Sequence, residues 1–415
     1  MHKFHRLNLV LLTALFSVSL LLMLIYPASL LEAAKRGLSI WWDVLFPSLL
    51  PFFIISEMLL GFGIVHFIGK LLDPVMRPLF RVPGVGGFVM AMGYASGYPV
   101  GAKLTSRLRT QGLVTREEGE RLVAFTTTSD PIFLIGAVSI GFFGSPSVAL
   151  TLIAAHYGTG FILGLLMRFH ARHAHDTPQT VHTASTKLSI SARAAQTLSR
   201  AFTAMHEARL LDGRSLGTLL REAVESSIKL MIVVGGLVVF FSVVMELMTV
   251  SSVMRIWDVF LSRILQLFGL PETLAPAFSG GLFEVTLGSK YAGAAESAGL
   301  HLQLVAAAWV LSWAGLSVHA QVASILNQTD MRYYPILVSR FIHSMMAAAA
   351  AYVLYPWLHS APSHIQTWIP SELSEPVTGW QAAVHSLSWG TLVFLSMMIL
   401  FAVAGAFIRI LRSYR

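Results

Sequence analysis

Two lysines and two acids stand out for where they lie. Lys103 closes the run Met92-Gly-Tyr-Ala-Ser-Gly-Tyr-Pro-Val-Gly-Ala-Lys103, and Lys290 closes Phe278-Ser-Gly-Gly-Leu-Phe-Glu-Val-Thr-Leu-Gly-Ser-Lys290. Both runs end in Gly-x-Lys and both interrupt long apolar sequence. An amine there can hold an anionic group, and Glu284 is the natural ion-pair partner of Lys290. Lys103 also opens a basic stretch, so a topological role competes for it. Counting 27 residues on from each lysine reaches Asp130, in Thr126-Thr-Thr-Ser-Asp-Pro131, and Ser317, in Ser312-Trp-Ala-Gly-Leu-Ser-Val-His319. A carboxylate in an apolar run is costly unless paired or wet, and hydroxyls clustered beside a proline suit ligand binding or ion coordination. Ser129 or Asp130 before Pro131 is equally a helix N-cap signature. The two roles are compatible, because a half-helix N-terminus offers unpaired N–H groups to an anion. The candidate binding residues are Ser96, Gly97, Tyr98, Gly101, Lys103, Thr127, Thr128, Ser129 and Asp130, then Ser279, Gly280, Gly281, Glu284, Thr286, Lys290, Ser317, His319 and Gln321. For His319, a packed, hydrogen-bonded ring competes with a proton-relay role.

Other chemistries find less support. The trio His170, His173 and His175 lies in a basic loop with a spacing that fits no closed metal site. There is no Gly-x-x-x-x-Gly-Lys-Ser/Thr loop for ATP, no His-Glu-x-x-His and no Gly-x-Ser-x-Gly. Ser312 or Ser317 with His319 lacks a base, an orienting group and an oxyanion site assigned together, so the chain reads as a non-enzyme without cofactor or metal. Having no cysteine, it can form neither a disulfide framework nor thiolate sites.

The elements that must position the candidate residues belong to a membrane. Of the 415 residues 55% are hydrophobic and 12% charged, far too apolar for a soluble domain. The net charge of +8 then reads as topology rather than as nucleic-acid binding. Spans are predicted at Leu7 to Tyr26, Trp41 to Phe67, Leu122 to Phe143, Ser147 to Met167, Ile228 to Met248, Leu302 to Leu326, Tyr334 to Tyr355 and Val384 to Ile410. The first reads as a retained helix rather than a signal peptide, since Tyr26-Pro-Ala-Ser29 is a poor cleavage site. Gly84 to Gly101 reads as a re-entrant hairpin, Thr115-Arg-Glu-Glu118 as a capping box, and Ile256 to Phe268 as a short amphipathic piece. Residues 168 to 221 carry eight basic against three acidic residues and divide the chain; within them Thr177 to Thr186 reads as linker and Ile190 to Leu211 as a surface helix.

With both termini cytoplasmic, only Lys35, Arg36, Arg255, Arg263 and Lys290 of the 29 Lys and Arg fall on the far side. The broken stretches then enter from opposite sides, which predicts an all-α polytopic protein of about eight spans built from two inverted repeats. The expected divisions are an N-terminal span in 1–36, a first repeat in 37–168, a basic loop in 169–221, a second repeat in 222–358, and an extracytoplasmic loop with a last span in 359–415.

Ser96-Gly-Tyr-Pro-Val-Gly-Ala-Lys103, Glu117 to Phe125, and Thr126 to Gly136 resemble the YlbJ-like family of sporulation integral membrane proteins, whose nucleoside-recognition or Gate domains are related to parts of nucleoside and ferrous-iron transporters. The second half matches mainly at Ser279-Gly-Gly-Leu-Phe-Glu284 and Gly288-Ser-Lys290. Where the family usually has asparagine and glycine, this chain has Thr127, Thr128 and Asp130. The resemblance implies a protein of the outer forespore membrane that moves dipicolinate from mother cell to forespore and is needed for cortex formation. Two lysines and two half-helix N-termini would complement that planar dianion, and Tyr94, Tyr98, Phe283 and Tyr291 would stack on its ring. The implied partners are the lipid bilayer, the anionic substrate, a coupling ion (H+ or Na+) and other sporulation membrane proteins, with no nucleic acid. A nucleoside-type transporter and a non-transporting scaffold for cortex assembly are the alternatives.

Overall fold

The computed structural model describes residues 2–131, 133–174, 177 and 190–359. Helices dominate, and no strand occurs among the described residues. The chain begins with α1 (His2–Ile25) and α2 (Pro27–Ser39), set at 103° across Tyr26. Pro27 starts α2 where its missing N–H costs nothing. A wider-wound stretch, Ile40–Leu45, leads into α3 (Phe46–Gly61).

The expected span from Trp41 to Phe67 is not continuous. The chain bends by 84° at Phe62 and Gly63 before α4 (Ile64–Phe80). Gly63 makes the bend at φ +76°, and a side chain there would lie 2.6 Å from the Met205 carbonyl.

Next come α5 (Val85–Ser96) and α6 (Tyr98–Thr110), parted at Gly97 with φ +87°. α7 (Arg116–Thr126) opens with the capping box: Glu118 N–H donates to the Thr115 hydroxyl, and Thr115 N–H donates to the Glu118 carboxylate at 2.8 Å. After Thr126 the chain unwinds through Thr127–Asp130 and re-coils as a wide helix, Phe133–Phe142, before α8 (Ala149–Met167). The predicted span Leu122 to Phe143 is thus unwound in its first half, at the Thr/Ser/Asp run where an interruption is expected.

α9 (Ile190–Asp212) lies along α4. It leads through α10 (Leu216–Val250) and α11 (Val253–Leu267) to the second broken pair, α12 (Ala275–Phe283) and α13 (Val285–Ala294), which part at Glu284. α14 (Leu300–Trp313) and α15 (Gly315–Leu326) part at Ala314 and Gly315, both at φ +76°. α16 (Tyr334–His359) packs on α8 and α14.

Among the described residues four helices are long and apolar enough to cross a membrane, or six if each bent pair is one crossing. Of the eight expected spans, the remaining two are the unwound Leu122 to Phe143 and Val384 to Ile410. The latter lies outside the described residues, as do the loop from residue 360 on, most of the Thr177 to Thr186 linker and His175.

Helix boundaries in the two halves recur at a separation of 187 residues. α4 ends at Phe80 and α11 at Leu267; α5 ends at Ser96 and α12 at Phe283. α6 starts at Tyr98 and α13 at Val285; α7 ends at Thr126 and α14 at Trp313. The close-packing glycines keep the same separation. A methyl on Gly93 or Gly101 would come within 2.7 or 2.6 Å of the Thr126 carbonyl oxygen. Their counterparts Gly280 and Gly288 are equally tight: a methyl on Gly288 would stand 2.2 Å from the Gly281 Cα. Gly101, Gly280 and Gly281 therefore serve helix contact.

Candidate functional site

The four interruptions converge. Gly97, in the first, approaches Asp130, in the second, so closely that a methyl on it would lie 3.0 Å from Asp130 Oδ2. In the other half a methyl on Gly315 would lie 3.0 Å from the backbone of Glu284. Between these two contacts is a pocket of about 510 Å³ that includes its open mouth. Gly97, Tyr98, Asp130, Glu284, Thr286, Ser317 and Gln321 line it, with apolar walls from Leu45, Phe133, Val234, Val238, Val285 and Val318. The structure thus brings together predicted residues from all four breaks.

Each acid also ends a helix. Asp130 Oδ1 accepts from Phe133 N–H at 2.9 Å, capping the wide helix that follows. Glu284 Oε2 accepts from Leu287 N–H at 2.8 Å and its Oε1 from the Thr286 hydroxyl at 3.1 Å, capping α13. The Ser317 hydroxyl is 1% exposed and has no hydrogen-bond partner among the described residues. No lysine, arginine or histidine lines the pocket.

The predicted lysines lie elsewhere. Lys103 is buried against Glu57, with Nζ 3.0 Å from Oε1, and its ammonium sits 5.2 Å from the centre of the Phe53 ring. Lys290 is exposed and does not pair with Glu284, whose oxygens serve α13. Of the four aromatic residues expected to stack on a ligand, only Tyr98 reaches the pocket. Tyr94 is buried against Tyr157, with ring centres 5.5 Å apart, and Tyr291 packs on Gly280.

The remaining hydroxyl-rich residues form a buried layer outside the pocket lining. The Thr127 hydroxyl donates back to the Val123 carbonyl at 2.7 Å, as an unwinding helix end allows. Ser129 N–H donates to His156 Nε2 at 3.1 Å, and Thr128 Oγ1 lies 2.7 Å from the same nitrogen. An amide can only donate, so Nε2 is the unprotonated nitrogen and Nδ1–H donates to Ser312 Oγ at 2.8 Å. Ser96 is buried without a hydrogen-bond partner among the described residues, and Ser279 donates to Asp258 and to the Ala275 carbonyl. His319 donates from Nε2 to the Trp313 carbonyl at 3.0 Å and accepts from the Tyr333 hydroxyl. It is a packed histidine closing the end of α14.

Three residues of this layer were not predicted. Arg340 on α16 is fully buried and donates to the carbonyls of Thr127 and of Ala124, the latter at 2.7 Å, satisfying the open end of α7. His156 and His343 face each other with ring centres 5.2 Å apart, and His343 Nε2 donates to the His156 carbonyl at 2.9 Å. These two histidines are themselves 187 residues apart, the separation of Lys103 from Lys290, so continuing the repeat count finds them. Arg340 carries the ordinary signal of a charge inside an apolar run. Among the described residues no cluster of three His, Asp or Glu could hold a metal ion; His170 pairs with Glu120 at 2.7 Å.

Comparison with known proteins agrees with this architecture in kind. The family described as Gate, nucleoside recognition, matches residues 42–158, which hold the first two breaks. An uncharacterized protein of Alkalihalophilus pseudofirmus is 32% identical over 135 residues, covering 32% of this chain and 28% of its own. No solved structure matches. The sporulation integral membrane protein YlbJ of Bacillus subtilis is 42% identical over 359 residues, 86% of this chain and 85% of the relative. A polytopic helical chain aligned over that length and at that identity belongs to the family of sporulation integral membrane proteins typified by YlbJ.

Proposed function

We propose that this chain is a membrane carrier that moves a small anionic solute, dipicolinate, from mother cell to forespore across the outer forespore membrane. The observation that carries the reading is the meeting of four helix breaks, two from each half, at one pocket. Paired discontinuous helices at corresponding positions are how secondary transporters build a solute site near the bilayer midplane. The 187-residue recurrence of helix ends supports two repeats, which we read as inverted, with both chain termini cytoplasmic. Rocking one repeat against the other would open the pocket to each side in turn. Tyr98 offers a ring for a planar solute, and Ser317 and Gln321 offer hydrogen bonds to its polar edge.

A neutral heterocycle of nucleoside type is the second reading. The uncharged donors of the pocket and the Gate match favour it.

Liposomes holding the purified protein separate the two. Saturable uptake of labelled dipicolinate, falling about tenfold in Gln321→Leu through loss of roughly one hydrogen bond of about 1.4 kcal/mol, is the expected result. Uptake of a labelled nucleoside in its place would transfer the assignment to the second reading. Uptake of neither by folded protein, under sodium and proton gradients alike, would sink both.

A further inference from the structure

Three acids are buried among the described residues: Glu118, Glu120 and Glu284. Glu118 closes the capping box of α7, and Glu120 pairs with Arg332 at 2.8 Å. Glu284 differs from both: it is 4% exposed, forms no ion pair among the described residues, and lines the pocket. The titratable groups facing it across the pocket are Tyr98 of α6 and Asp130, neither of them a cation, while α10 brings only valines. The other neighbouring elements add no counter-charge. α12 and the wide helix Phe133–Phe142 have no titratable residue, and His301 of α14 donates to the Tyr352 carbonyl. His319 of α15 is held by Trp313 and Tyr333, and Asp258 of α11 by Ser279. On α13 itself, Lys290 and Tyr291 are exposed. Burying a carboxylate without a counter-charge is costly, and binding a proton removes the charge. Glu284 also sits where the second half bends. It parts α12 from α13, and a methyl on Gly315, at the break between α14 and α15, would lie 3.0 Å from its backbone. Motion of one broken pair against the other therefore changes how water reaches this carboxyl.

We propose that Glu284 is a proton-binding group, protonated when the pocket takes up an anion and deprotonated when the anion leaves. The proposal rests on the carrier reading for its purpose, but the protonated carboxyl is observable without any transport. The carboxylate takes one proton from water at the mouth of the pocket, becomes a neutral carboxyl, and returns the proton to water on the other side. Thr286 Oγ1, 3.1 Å away, can donate to the carboxylate and accept from the acid, so the same contact serves both states. A charged Glu284 repels an anionic solute and a neutral one does not, which couples the proton to the solute in one direction of travel.

The test begins with the full chain purified in detergent, followed by infrared spectroscopy across a pH titration. The expected result is a carboxylic-acid carbonyl band that titrates apart from those of the exposed acids. It should be absent in Glu284→Gln and kept in Glu296→Gln, which alters an exposed acid. Gln retains a carbonyl oxygen for the Leu287 N–H, so the variant keeps its helix cap. Identical titrations of the wild type and Glu284→Gln would overturn the proposal. So would a band lost in Asp130→Asn in place of Glu284→Gln, since the proton would then sit on the other acid. In liposomes, uptake of labelled dipicolinate should follow an imposed proton gradient in the wild type, cease to follow it in Glu284→Gln, and recover the response in Glu284→Asp, which keeps a titratable carboxyl. Uptake that follows the gradient equally in the wild type and Glu284→Gln would reject the coupling role. No uptake by the wild type, with the infrared band present, would reject the carrier reading and leave the proton site standing.

Discussion

Arg340 spends its guanidinium on two backbone carbonyls within a fully buried setting. Burying a cation costs several kcal/mol, yet each carbonyl left unpaired would cost about 1–3 kcal/mol and would free the segment that sets Asp130 in the pocket. Stability should therefore fall in the order Arg, Lys, Met at this position, since lysine lacks the fork that reaches both carbonyls. Thermal unfolding in detergent checks the order; a Met variant as stable as the wild type would mean that relief of the buried charge outweighs the lost bonds. The position was visible in the sequence as a charge within Tyr334 to Tyr355, but its partners are backbone groups of a helix more than 200 residues away, which no local pattern records. Lys103 failed the reverse way. It ends a broken stretch as expected, but Glu57, 46 residues upstream, takes it out of the site.

Among the elements, the breaks were the most legible feature, because glycine and proline inside apolar sequence have a local cause. The bend at Gly63 and the wide-wound stretches after Ser39 and Ile132 were not, since packing against other helices decides them. Tight glycine contacts hold the broken pairs together, and the strongest lies within α12 and α13. In Gly288→Ala the new methyl would meet the Gly281 Cα at 2.2 Å, and backbone on both sides leaves nothing flexible to yield. Overpacking of this kind costs about 1–3 kcal/mol. The unfolding midpoint should drop accordingly, whereas Gly236→Ala, with nothing within 4 Å of its added methyl, should leave it unchanged. Equal behaviour of the two variants would count against the close contact.

Across the whole molecule, polar bonds tie one half to the other. Arg332 donates from Nε and Nη2 to the buried Glu120 carboxylate, each at 2.8 Å, and Arg109 pairs with Asp330 at the same distance. Tyr98 donates to the Leu311 carbonyl at 2.8 Å nearer the pocket. Burial by itself would raise the Glu120 carboxyl, but hydrogen bonds from Arg332 and His170 outweigh it and hold it down at about 2. A lowered carboxyl contributes stability that is whole above the ordinary value near 4.5 and is lost as pH falls through 2. Unfolding midpoints should therefore decline with acidification below about pH 4.5 more steeply in the wild type than in Glu120→Gln; parallel profiles would remove Glu120 from the account.

Equal spacing made the recurrence of helix ends readable from the sequence, but not where the corresponding positions differ. Residue 187 beyond Glu57 is Val244, so one copy has the acid that neutralises its lysine and the other leaves Lys290 exposed. Two identical copies exchanging roles would give mirror-related end states of equal free energy. In the proposed carrier, an ion pair locked into one copy only would lift that degeneracy, and the resting population would be weighted toward one side of the membrane before any solute or gradient is applied.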